Sequence, residues 1–239
     1  MTTAADHPAP PAFWTLSDVA LFAGSILPIY LIASLLTAGG AAIAPQTFES
    51  AGIRMLVFQS TFYALVLGSL YLVLKTRYDQ PLWRSLGWTL AFRGAWICLL
   101  CGPILAVVIG ILDNQVLHAP DLPSPVDVLV NGRVSVPVVV LFSAVAGPII
   151  EELIFRGFLQ MLFERLLGPI GGIVCAALPF ALIHGPQDEW SWEYLLLLFL
   201  AGCVFGIARR LTGSTAAPAL MHLGYNGTLV VAYLAGLVN

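Results

Sequence analysis

Residues 134–167 read VSVPVVVLFSAVAGPIIEELIFRGFLQMLFERLL, an almost unbroken apolar run of 34 residues with two adjacent glutamates and an arginine near its middle. As one straight α-helix this stretch would be a rod about 50 Å long, against a bilayer hydrocarbon core of roughly 30 Å. Proline lacks a backbone donor and suits a first helical turn, so Gly147-Pro148 predicts a break into two helical pieces. Strands are excluded by pattern, since period-two alternation is absent and Leu, Ala and Gly dominate. Helices, by contrast, satisfy their own backbone groups in lipid.

Six more apolar stretches surround this one: about Val19–Ala44, Ile53–Leu74, Trp96–Leu112, Ile170–His184, Tyr194–Leu211 and Ala216–Val238. The whole chain of 239 residues is 59% hydrophobic and 10% charged, with mean hydropathy +0.91. A soluble domain carries roughly a quarter charged residues, so a water-soluble enzyme is excluded. The net charge of −3 gives nucleic acid no basic face to bind. The expected fold is an all-α polytopic membrane protein of seven to eight transmembrane helices, with a polar intramembrane site in its C-terminal half.

Residues 1–17 form a polar, Pro-rich tail without Lys or Arg, unlike a cleavable signal peptide, so the first span is expected to be retained. Residues 18–239 are expected to form a single transmembrane helical domain, with residues 134–239 as its motif-bearing core. Lys75, Arg77, Arg84, Arg93, Arg209 and Arg210 fall in loops or span ends that alternate with acidic ones bearing Asp113, Asp121, Asp127, Asp188, Glu189 and Glu193; Arg133 is the basic residue among the acidic loops. The positive-inside rule then places the N-terminus in the cytoplasm. Cys98, Cys101, Cys175 and Cys203 lie in apolar runs and read as small residues filling helix contacts.

Ionisable groups inside spans are costly and mark functional sites. Here they cluster in Glu151-Glu152-Leu-Ile-Phe-Arg156, Phe180-Ala-Leu-Ile-His184 and His222-Leu-Gly-Tyr-Asn226. Glu152 and Arg156, at i and i+4, can pair on one helix face, while Glu151 points about 100° away. One carboxylate is thus neutralised and the other is available as a general base. His222 and Asn226 share a face and can offer two N–H groups to one oxygen, the equipment of an oxyanion hole. His184 can orient a water, share a proton with Glu151 or ligate a metal. Each group also has a plainer reading: Glu152 with Arg156 as a structural pair, and His184, His222 and Asn226 as hydrogen bonds between helices.

At these residues the sequence resembles the CAAX-protease and bacteriocin-processing (CPBP, or Abi) family, whose pattern is EExxxR, FxxxH and HxxxN on successive helices. The resemblance covers Glu151 to Asn226, about a third of the chain. It implies an intramembrane endopeptidase, as in enzymes that trim prenylated CAAX proteins. Glu151 would activate a water with help from His184, and His222 with Asn226 would stabilise the oxyanion. Glu152, Arg156 and Phe180 would support the site. The residues favour the metal-free version with no cofactor; a zinc version would use His184, His222 and Glu151. The expected partners are the lipid bilayer and a peptide or protein substrate, membrane-anchored or prenylated, in the setting of a bacterial cytoplasmic membrane. Two readings of other classes stand beside it: a proton-coupled transporter using the buried Glu and His as a relay, and a non-catalytic membrane scaffold or immunity protein.

Overall fold

The computed structural model describes residues 13–90, 94–120, 122, 125–132 and 134–237. The tail before Phe13, and the loop charges Arg93, Asp121 and Arg133, lie outside the described residues. Among the described residues there is no strand. The long helices are α1 (Leu16–Ile43), α2 (Ala51–Tyr78), α3 (Ala95–Leu117), α4 (Val136–Leu182), α5 (Trp192–Thr212) and α6 (Ala216–Leu234). The first five are long and apolar enough to cross a membrane. The sixth is diluted by His222, Tyr225 and Asn226. Large apolar side chains such as Leu35, Ile104 and Ile170 are exposed, as expected where lipid is the solvent.

α4 breaks at Gly168, between the apolar stretches that end at Leu167 and begin at Ile170, and not at the expected Gly147-Pro148. Gly168 has φ 76° and ψ 177°, a left-handed backbone that glycine adopts freely and that suits the residue before Pro169. Helical structure continues through Pro148 because the turn before it, Leu141–Ala146, widens to the i→i+5 pitch of a π-helix. That widening accommodates a ring that would otherwise meet the carbonyl four residues earlier. Each of the seven apolar stretches is therefore a helix or one half of α4, and the break that would have made an eighth span is absent.

The chain divides into two compact units. One contains residues 14–82 and 123–141. In it, α1 and α2 are tied end to end by the buried Asp18, which accepts from Thr15 at 2.8 Å and Tyr78 Oη at 2.5 Å and pairs with Arg77 Nε at 3.0 Å. The other contains residues 83–122 and 142–239 and carries every motif residue. There α3 crosses α6 at Gly102 and Gly224, where a Cβ on either would overlap the partner backbone. The two halves of α4 fold against α5, whose Gly202 and Gly206 face the Arg156 and Gln160 side chains. Small residues at four-residue spacing allow such close approach between membrane helices.

Candidate active site

Glu151 and Glu152 end the short α-helical turn Gly147–Glu152, between two π-helical stretches of α4. All seven residues of the second stretch, Leu153–Leu159, are buried. π-Turns within α-helices concentrate at functional sites, where they re-aim side chains. Arg156 is fully buried and donates from Nη1 to Glu152 Oε1 at 3.0 Å and from Nη2 to the Gly202 carbonyl at 2.8 Å. Its guanidinium also lies 4.5 Å from the Phe180 ring centroid. Such pairing is what lets a buried charge be tolerated, although Arg156 Nε and Glu152 Oε2 are buried without a hydrogen-bond partner.

The stripe continues along α4. Gln160, one turn after Arg156 and fully buried, donates from Nε2 to Glu164 Oε1 and to the Gly206 carbonyl, each at 2.9 Å. Glu152, Arg156, Gln160 and Glu164 recur every four residues, so the ladder's side of α4 was visible in the sequence, although Gln160 and its α5 partners were not singled out. Gly202 and Gly206, also four apart, were the matching signal on α5.

His222 joins α6 to this ladder. Its Nδ1 lies 3.0 Å from Glu152 Oε1, and its Nε2 lies 3.9 Å from Glu151 Oε2. With Glu152 as a carboxylate, Nδ1 must carry the proton and donate. Neutral His222 therefore turns a lone pair on Nε2 toward Glu151. Glu152, Arg156 and His222 are buried, and Glu151 is 8% exposed. With two carboxylates and one guanidinium formally charged, a single further proton neutralises the group.

The motif residues meet around Phe180. His184 and His222 pack edge-on against its ring, with centroids 5.1 and 5.8 Å away. His184 follows the end of α4 and turns Nδ1 back to the Phe180 carbonyl at 2.8 Å. A carbonyl only accepts, so Nδ1 donates and Nε2 presents its lone pair. Asn226 is the motif residue with a tie elsewhere: its Nδ2 donates to the Ser143 carbonyl at 2.9 Å, which leaves one amide proton uncommitted. Phe205, absent from the motif reading, stacks on His222 at 4.6 Å with 22° between planes. Tyr225 meets Phe205 edge-on at 6.2 Å. Nothing local in the sequence separates these two rings from ordinary apolar filling.

A zinc ion would need three ligands. Among the described residues no three His, Cys, Asp or Glu side chains converge as metal ligands. His184 and His222 each have Nδ1 engaged, which leaves Nε2 as the free ring nitrogen on both. No step below passes through a metal.

Outside the spans, Asp188 lies in the turn that follows His184. Burial pushes its carboxyl above the ordinary range, and the nearby His184 opposes that shift.

Residues 133–228 match the family model described as Rce1-like, type II CAAX prenyl endopeptidase. The membrane-embedded CAAX protease MroQ of Staphylococcus aureus (strain USA300) is 24% identical over 137 residues, 54% of this chain and 52% of that protein. This chain thus spans about half the length of that curated relative. No solved structure matches. Residues 133–228, which hold all three motifs, are thus the part of the chain that is similar to CAAX-type membrane proteases.

Proposed function

We propose that the protein is an intramembrane endopeptidase that hydrolyses peptide bonds with a water activated by Glu151. The observation that carries this reading is the placement of His222 between two carboxylates, with Nδ1 at 3.0 Å from Glu152 and Nε2 at 3.9 Å from Glu151. A gap of 3.9 Å is too long for a direct hydrogen bond and suits a shared water. Glu151 takes the proton as that water attacks the peptide carbonyl, and His184 Nε2 helps to orient it. The proton then passes to His222 Nε2, where the imidazolium is held by Glu152. From there it reaches the leaving amine, and Glu151 is ready for the next water. While His222 is protonated, its Nε2–H and the second amide proton of Asn226 supply the oxyanion donors. Arg156 donates to the same Glu152 oxygen that faces His222 Nδ1.

The substrate proposed is a membrane-anchored peptide or protein, a prenylated C-terminus among them, in a bacterial cytoplasmic membrane with the N-terminus inside. Comparing the protein termini of cells that carry wild type with those that carry Glu151→Gln tests the reading directly. Termini lost in the variant identify substrates, whereas identical sets of termini reject proteolysis. Cleavage abolished by a chelator and restored by zinc would replace the glutamate mechanism with a metal one.

The buried Glu151 and His222, 3.9 Å apart, also suit a relay in a proton-coupled transporter. Substrate-driven proton flux in liposomes, without peptide cleavage, would favour that second reading.

A further inference from the structure

Residues 83–90, between α2 and α3, form a strap across one end of the motif-bearing unit. Thr215 Oγ1 donates to the Leu86 carbonyl at 2.5 Å, and Thr215 N donates to the Gly87 carbonyl at 3.0 Å. Ser214 Oγ donates to the Thr89 carbonyl and accepts from Thr89 N at 3.3 Å. Leu86, Ser214 and Thr215 are fully buried. On its other side Leu86 sits against Gly157, where an added Cβ would come within 2.9 Å of the leucine Cβ. The strap thus grips the start of α6, which carries His222, and the turn of α4 that follows Arg156. Those are the two segments joined at the site by the bond from His222 to Glu152.

The outer face of the strap has a different character. Trp83 is 52% exposed and meets Trp88 edge-on at 5.5 Å. Arg84 beside it is exposed and has no ion-pair partner among the described residues. Arg210, on the last turn of α5 just before Ser214, is also exposed; Glu164, at 3.9 Å, is its loose partner. Leu90 and Leu211 are exposed at the same end. Paired tryptophans together with exposed arginines and leucines have the composition of a membrane–water interface. Cations at that level are attracted to anionic headgroups.

We infer that the strap face formed by Trp83, Arg84 and Trp88, together with Arg210, binds anionic phospholipid headgroups, and that this contact tightens the strap's grip on α4 and α6. Lipid composition would then set how firmly the two site-bearing helices are held in register. The binding part is independent of the protease reading; only its consequence for cleavage rests on it.

The test uses the full chain in phosphatidylcholine vesicles with and without phosphatidylglycerol. Brominated phosphatidylglycerol should quench the fluorescence lost in the Trp83→Phe/Trp88→Phe variant more than brominated phosphatidylcholine does at equal mole fraction. Each arginine near an anionic surface contributes about a fivefold preference. The preference should therefore fall by at least that factor in Arg84→Glu/Arg210→Glu. Hydrogen exchange at the Thr215 amide should slow when phosphatidylglycerol is present in wild type, and not in that variant. Equal quenching by the two lipids, or a preference retained by the charge-reversed variant, overturns the binding. Unchanged exchange at Thr215 overturns the grip. Neither readout needs cleavage, so failure here is distinct from failure of the proteolytic reading.

Discussion

Glu152 Oε1 accepts two hydrogen bonds of equal length, from Arg156 Nη1 and from His222 Nδ1, each at 3.0 Å. The adjacent Glu151 faces the other imidazole nitrogen of His222 at 3.9 Å. In the proposed mechanism the two neighbouring carboxylates have different duties, one to hold and one to react.

Replacing each carboxylate by its amide should separate those duties. Glu152→Gln leaves the fully buried Arg156 without its counter-charge and should lower stability by about 3 kcal/mol. Glu151→Gln should leave stability nearly unchanged while abolishing cleavage. Denaturation in detergent beside an activity assay on the two variants measures both effects. Equal loss of stability in the two would dissolve the distinction.

Arg156→Lys keeps the charge but not the fork. One ammonium cannot reach Glu152 and the Gly202 carbonyl in the same geometry while also covering Phe180. Losing one charge-assisted hydrogen bond should cost about 2 kcal/mol. A lysine variant that melts with the wild type would show that the contact with α5 adds little.

The helix crossing beneath the site makes a sharper steric prediction. At Gly224 an added Cβ would overlap the Leu99 carbonyl, whereas at Gly24 and Gly68 it would meet nothing within 4 Å. Gly224→Ala should destabilise by about 3 kcal/mol, since the obstructing atom is backbone. Gly24→Ala and Gly68→Ala should be neutral or stabilising by up to about 1 kcal/mol through helix propensity. Thermal melting of the three variants side by side decides the point.

Much of this was readable from local rules. The seven apolar stretches become helical segments because lipid leaves the backbone no other partner, and the i, i+4 spacing of Glu152 and Arg156 predicts their bond. Gly147-Pro148 misleads because a proline rule takes the preceding turn to be α-helical, whereas that turn opens to π pitch. Phe205 and the Ser143 carbonyl were illegible for another reason: each becomes significant only when a distant helix places His222 or Asn226 beside it. The sequence carries each helix's own polar face but not which faces will touch.

Asp188 supplies a pH prediction. Burial raises its carboxyl above the ordinary range, so the folded state binds that proton more tightly than the unfolded chain does. Stability should therefore fall as pH rises from the ordinary carboxylate range through the raised value. Asp188→Asn should match wild type at low pH and exceed it at neutral pH. Melting curves across that range that stay parallel for the two proteins would contradict this.

Asn226 tests whether the site has an oxyanion donor beyond His222. One of its amide protons is given to the Ser143 carbonyl, which ties α6 to the turn before Glu151. If that tie were its whole contribution, Asn226→Ala would cost about 1 kcal/mol of stability and leave the turnover of folded enzyme intact. The remaining proton lies on the helix face that also carries His222, one turn away, where the developing negative charge is expected. Loss of a donor used only in the transition state lowers kcat by about a hundredfold while KM holds. That split is the expected result for Asn226→Ala. Asn226→Asp should do worse on both counts, because it turns an acceptor toward the Ser143 carbonyl and adds a third carboxylate beside Glu151. An alanine variant with wild-type kcat would assign Asn226 to helix packing alone and leave protonated His222 as the donor.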